Sequence, residues 1–263
     1  MSGLASEPPD TTVLDLLAAR YGTGAARREI PPETDGIVRA MPVVLRIERD
    51  PLPSRTALLE AAAAAAVAVC LDRRAQPGGD WHETVALWVD GRIRKIARRS
   101  RGAHWRAVHE LPGATVEVGG AQVRALLPGP VDDVPKAVSR LQIGGTELEP
   151  DAPGPVPGGT PLILLNPHVE MTVGKAAAQV GHASMILAAA RRWPVTEPGE
   201  AAWPFAVRTP APERWDAWCA RLGEPGSAVV AVRDAGFTEV DPGTVTCLAT
   251  DGPRATIEQE EHR

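Results

Sequence analysis

The chain has 263 residues, a formal net charge of −5 and a hydrophobic fraction of 44%, which bounds it to one large globular domain or two small ones. No apolar run reaches bilayer-spanning length, and the amino end Met1–Asp10 lacks the basic and apolar regions of a secretion signal. Three distant cysteines (Cys70, Cys219 and Cys247) suggest neither a disulfide framework nor a zinc cluster, and read as buried thiols of a reducing, cytoplasmic compartment.

In chain order, residues 1–36 are rich in Pro, Gly and charge and read as a mobile tail, with one apolar patch at Val13–Leu17. A strand is expected over Pro42–Glu48, then an alanine-rich helix capped at Pro53-Ser54 and running to about Leu71. Trp81, Val85 and Trp88 share one face of a short helix. Arg92–Arg98 reads as a strand, Ala103–Leu111 as a helix, Thr115–Val118 and Val123–Leu127 as strands, and Val131–Leu141 as a closing helix. The Pro/Gly-rich run 149–160 is the clearest linker, separating residues 37–148 from 161–263. Beyond it come a strand at Pro161–Leu165, a long helix capped by Thr172 and stopped at Trp193-Pro194, and a strand at Trp203–Val207. A helix at Ala211–Leu222 and strands at Ala228–Arg233 and Val245–Ala249 complete the chain. The expected fold is α/β: two small modules, each a mixed sheet of about four strands flanked by helices.

The helix after Thr172 carries Lys175, Gln179 and His182 at i, i+4 and i+7, hence on one face. A lysine in a first turn faces the positive end of the helix dipole and calls for a nearby acid. Asp234, at a strand end, is the natural candidate, with the Thr246 hydroxyl on the neighbouring strand. There is no Gly-x-Ser-x-Gly elbow, and neither Cys219 nor Cys247 sits in a motif that would activate a thiolate.

Two segments, Gly174-Lys-Ala-Ala-Ala-Gln-Val-Gly-His-Ala183 and Asp234-Ala-Gly-Phe-Thr-Glu-Val-Asp-Pro-Gly-Thr-Val-Thr-Cys-Leu-Ala249, closely resemble the second, archaeal and eukaryotic-type family of peptidyl-tRNA hydrolases. The resemblance covers about 161–253. It implies a carboxylic-ester hydrolase that cleaves the bond between a peptide and the 3′ ribose of tRNA, with water as nucleophile and neither metal nor cofactor. The catalytic set it implies is Lys175, Asp234 and Thr246, with Gln179, His182, Gly174, Gly236 and Thr238 against the substrate. Two positions depart from the family: Val173 and Phe237 stand where it usually has basic residues. A non-catalytic RNA- or protein-binding relative, and a hydrolase of another ester or amide, are the alternatives.

The first half reads as a degenerate copy. Val44-Leu45 lies ten residues before Arg55, as Leu164-Leu165 lies ten before Lys175, which aligns Arg55, Leu59 and Ala62 with Lys175, Gln179 and His182. Members of the family are commonly homodimers, so a tethered pair implies an internal pseudo-dimer in a monomeric, membrane-free protein. The most basic stretch, Gly91–Arg106, offers Arg92, Arg94, Lys95, Arg98 and Arg99 as contacts to a tRNA backbone. One Tyr and two Phe leave little for base stacking.

Overall fold

The computed structural model describes residues 11–21, 33, 35–224, 227, 229–236 and 240–252. Its elements are α1 (Val13–Tyr21), β1 (Arg39–Arg46), α2 (Arg55–Leu71), α3 (His82–Asp90), β2 (Lys95–Ser100), α4 (Gly102–His109), β3 (Gly113–Val118), β4 (Ala121–Leu126), β5 (Gly129–Pro130), α5 (Lys136–Ser139), β6 (Leu162–Leu165), α6 (Val173–Arg191), β7 (Ala206–Arg208), α7 (Pro212–Ala220), β8 (Val230–Arg233) and β9 (Val245–Thr250). The chain is α/β, with two mixed sheets flanked by helices.

The two sheets have the same order. The first runs β2-β1-β4-β3, with β5 added to β1, and the second runs β7-β6-β9-β8. In each, the central strand is parallel to one neighbour and antiparallel to the other. Val43 pairs with Ala97 and Ala125, and Ile163 pairs with Val207 and Ala249. Strand alternation splits each central strand between two cores. Val43, Leu45, Ile163 and Leu165 face a shared interior containing α2 and α6. On the outer faces, Val44 packs with Trp105, Val108 and Val138, and Leu162 and Leu164 pack with Trp215. The layers are therefore helix, sheet, paired helices, sheet, helix.

Helices α2 and α6 begin as expected: Ser54 Oγ accepts the Ala57 amide and Thr172 Oγ1 the Lys175 amide. Both are buried nearly all round, which suits helices enclosed between layers. Small residues let their backbones come close. The Ser184 hydroxyl donates to Ala63 O at 2.7 Å, and a Cβ on Gly181 would lie 3.0 Å from Ala66 Cβ. Counted from the N-caps, Ala63 and Gly181 are both ninth, and Ala66 and Ser184 both twelfth. The contact is thus reciprocal, each position meeting its opposite number's partner.

This register differs by two residues from the one read off the sequence. From Leu45 to Ser54 is nine positions, but from Leu165 to Thr172 only seven. Counted from the caps, the counterparts of Lys175, Gln179 and His182 are Ala57, Ala61 and Ala64, not Arg55, Leu59 and Ala62. The extra loop length had slid the by-eye alignment along the helix.

Other elements also depart from expectation. Val13–Tyr21, read as a patch in a tail, forms a helix whose Val13 and Leu17 are fully buried. The closing helix spans only Lys136–Ser139, because Pro135 stands at its N-cap and disfavours helical backbone before it. The linker is anchored to both halves. Asp151 accepts Thr56 Oγ1 at 2.6 Å and the Thr56 amide at 3.1 Å, and Arg208 donates to Gly154 O at 2.8 Å. Glu60 of α2 pairs with Arg208 at 2.9 Å and accepts the Val207 amide at 3.1 Å, a further tie between the halves.

Lys95 joins the halves from within. Its ammonium lies 3.2 Å from His182 Nδ1 and 5.0 Å from the Trp88 ring centre. Burial pulls the Lys95 pKa down from 10.5 to about 7. Burial first, then the charges of Lys95 and Lys175, holds His182 well below the usual imidazole value.

Two outcomes are expected. Gly181→Val forces a branched side chain against Ala66 and the Lys95 stem, and should destabilise the fold by about 1–3 kcal/mol in denaturant titration; an unchanged midpoint would contradict the close helix approach. Between pH 7 and 10.5 the unfolded chain binds a proton at Lys95 that the folded one does not, so stability should rise with pH across that window. Lys95→Met should raise the melting temperature at pH 7 and flatten this rise; an unaltered profile would place the ammonium in water.

Candidate functional site

The site forms where the first turn of α6 meets the end of β8 and the start of β9. Lys175 Nζ is ion-paired with Asp234 Oδ2. Gln179 Nε2 donates to the same oxygen at 2.7 Å, and Thr246 Oγ1 donates to Gln179 Oε1 at 2.7 Å. The other carboxylate oxygen, Oδ1, accepts the Gly236 amide at 2.8 Å. One chain of hydrogen bonds therefore runs from Thr246 through Gln179 to Asp234 and Lys175. It fixes the orientation of the Gln179 amide, since the oxygen must face the hydroxyl and the nitrogen the carboxylate.

Each side chain is placed by local chemistry. The turn from Lys175 to Gln179 sets both on one α6 face. The Asp234 carboxylate offsets the unfavourable meeting of Lys175 with the positive helix end. Asp234 is pinned through its backbone as well: its amide donates to Thr244 O at 2.9 Å and its carbonyl accepts Gly243 N at 2.7 Å. Gly236 has φ +79°, and any Cβ there would overlap the Pro242 ring, so this turn requires glycine. Thr246 pairs through its carbonyl with the Asn166 amide at 3.0 Å.

Burial is graded along the network. The Lys175 and Asp234 side chains are 11% and 5% exposed, whereas Thr246 is wholly buried. Lys175 is the most exposed member of the network, and Thr246 lies deepest.

The structure brings together Lys175, Gln179, Asp234, Thr246 and Gly236. It places His182 elsewhere, with its ring Nδ1 against Lys95 between the halves. Gly174 lies where α6 meets the first half: its amide donates to Thr146 Oγ1 at 3.0 Å, and a Cβ would approach that hydroxyl to 3.1 Å. Thr238 lies outside the described residues, as does Phe237. Val173 is buried.

The five basic residues of the first half do not form one exposed strip. Arg94 pairs with Glu33, and Lys95 reaches His182. Arg98 is 9% exposed and donates to Leu141 O at 3.1 Å, and burial lowers its pKa. Arg99 donates to Gly145 O at 2.6 Å and remains partly exposed, as does Arg92. Strand pairing of β1 with β2 explains the difference, since it carries Lys95 and Arg98 toward neighbouring elements.

Two contributors were missed in the sequence. Thr146 reaches from the first half to the start of α6, with no local signal to reveal it. Asn166 does have a signal, the Asn-Pro pair after a strand. Its Nδ2 donates to Val245 O at 2.7 Å and its Oδ1 accepts the His168 amide at 2.8 Å, tying the β6 end to the β9 start beside Thr246. Cys70 and Cys247 are buried as expected, and burial raises both to about 12, far from thiolate chemistry; Cys219, expected to be buried as well, is only partly so.

The first half lacks the network. From the strand registers, Gln122 occupies the place of Thr246, because Val123 pairs with Leu45 as Cys247 pairs with Leu165. Ala57 replaces Lys175, and a tight turn at Gly119-Gly120 replaces the Asp234 loop. A Cβ on Gly119 would touch Ala57 Cβ at 3.6 Å. The space that holds an ion pair in one half is closed in the other.

No helix among the described residues is long and apolar enough to cross a membrane. No curated protein and no solved structure matches the chain. The family model described as Peptidyl-tRNA hydrolase PTH2 matches residues 161–260, the segment that supplies Lys175, Gln179, Asp234 and Thr246.

Proposed function

We propose that the chain hydrolyses peptidyl-tRNA in the cytoplasm, cleaving the ester between the peptide and the 3′ ribose with water as nucleophile. The observation that carries this reading is the assembly of Lys175, Gln179, Asp234 and Thr246, from three separate elements, into one hydrogen-bonded chain. Water adds to the ester carbonyl, the bond to the ribose oxygen breaks, and that oxygen takes a proton, giving a peptide carboxylate and a free tRNA hydroxyl. Asp234 orients the attacking water. The Lys175 ammonium lies where negative charge develops on the carbonyl oxygen and stabilises it more than the neutral ground state. Gln179 and Thr246 act through Asp234 and are positioning residues.

The two halves work as an internal pseudo-dimer within a monomer, and only the second bears a site. Their matching strand orders, reciprocal helix contact and shared interior support this. The first half's role is to hold α6, through Thr146 and Lys95, and to add positive charge. The domains run 37–148 and 161–263.

Single-turnover release of peptide from peptidyl-tRNA tests the reading. Lys175→Ala and Asp234→Asn should each slow it by about 10²–10³-fold, with circular dichroism unchanged. Thr246→Val should slow it by about tenfold, and Thr246→Ser should restore most of the loss, because the hydroxyl on Gln179 returns. Near wild-type release by both Lys175→Ala and Asp234→Asn would contradict the assignment. A wild-type chain without release would instead be a non-catalytic relative.

A further inference from the structure

The one-sided placement of the network leaves a basic cavity in the first half unexplained. It has a volume of about 240 Å³ and lies between the end of β2, the first turn of α4 and the segment after α5. Arg99, Ser100, Arg101, His104, Arg140 and Gln142 line it. Three arginines and no carboxylate are among its lining residues; the Arg99 guanidinium is held by Gly145 O, which leaves Arg101 and Arg140 as the cavity's principal cations.

The start of α4 points the same way. Its N-cap is Arg101, with no side-chain cap, and there is no acid in the first turn. First-turn amides have no acceptor within their own helix, and a cation at the cap aggravates the dipole rather than offsetting it. Glu48 accepts the Gly102 amide at 3.3 Å and is paired with Arg46 at 2.9 Å, so its charge is shared between Arg46 and Arg101. Independently, Ser100 is 3% exposed, and its hydroxyl has no hydrogen-bond partner among the described residues. A buried hydroxyl left unmatched costs about 1–3 kcal/mol. Such a group, beside the first-turn amides that follow Gly102 and the side chains of Arg101 and Arg140, is completed by an anion with several acceptor oxygens.

The corresponding place in the second half has different chemistry. Arg208 pairs with Leu164 as Arg98 pairs with Val44. The residues that follow are Thr209, Pro210, Ala211 and Pro212, where the first half has Arg99, Ser100, Arg101 and Gly102. In α7 the first turn holds Glu213 and starts with proline. The half that lacks the ion-paired network is thus the half that carries the basic cavity.

We infer that this cavity is a phosphate-binding site, with Arg101 and Arg140 as its main charges and the Ser100 hydroxyl and first-turn amides of α4 completing the shell. On the peptidyl-tRNA reading above, on which only its source rests, the phosphate is a backbone diester of the RNA; a free phosphate offers the same oxygens. Titrating the full isotope-labelled chain with inorganic phosphate at constant ionic strength should shift the Ser100, Ala103 and His104 amides saturably. The Arg101→Gln/Arg140→Gln pair should weaken that binding by tenfold or more, and Ser100→Ala, which removes a single oxygen, should weaken it by about tenfold. tRNA affinity measured against salt should lose about two units of slope in the arginine pair. Phosphate binding with an unmoved tRNA slope supports the site with a free phosphate as its ligand. Amides that do not shift, or that shift equally in all variants, overturn it. Peptide release through Lys175 and Asp234 is a separate readout, so failure of the hydrolase reading leaves this test intact.

Discussion

The close approach of α2 and α6 is the constraint on which the rest of the molecule depends. Two helices buried nearly all round can lie between two sheets only if small side chains let their backbones meet. Gly181 against Ala66 and Ser184 against Ala63 provide that, and the reciprocity of the two contacts fixes how the halves face each other. Once α6 is seated, its first turn is held from the first half by Thr146 and its middle by Lys95. The position of Lys175 relative to Asp234 then follows from elements that belong to both halves.

Electrostatics divides the labour between them. A buried ion pair is tolerable only where further hydrogen bonds complete it, and Gln179, Gly236 and Thr246 do so in the second half. In the first half, Ala57 and the Gly119-Gly120 turn remove both charges together, so neither is stranded. Losing one member of the pair alone would have left an uncompensated charge. Three arginines of the first half, with no carboxylate, line the cavity at the start of α4.

Much of this was legible in the residues. Ser54 and Thr172 mark their helices because a hydroxyl before an apolar run satisfies a first-turn amide. The continuous apolar runs of β1 and β6 show strands buried on both faces, and the spacing of Lys175 and Gln179 puts them together on α6. What was not legible depends on tertiary packing. Lys95 and Arg98 read as exposed contacts to a tRNA backbone, yet pairing with β1 carries both inward. His182 shares a helical face with Gln179 in projection, but one further turn takes it to Lys95. The two-residue difference in the loops before α2 and α6 cannot be weighed without the caps in view, so the first-half counterparts of the site were misplaced. Thr146 and the Ser100 cavity carry no local signal at all.

The central claim is that the halves form one folding unit through the α2–α6 contact, with a single network on one side. Native-state hydrogen exchange across a denaturant series, read at the β4 and β9 amides, tests it most directly. The account predicts that both strands open with the same free energy and the same denaturant slope. A β9 that opens well before β4, or the reverse, would show two independent domains and contradict it.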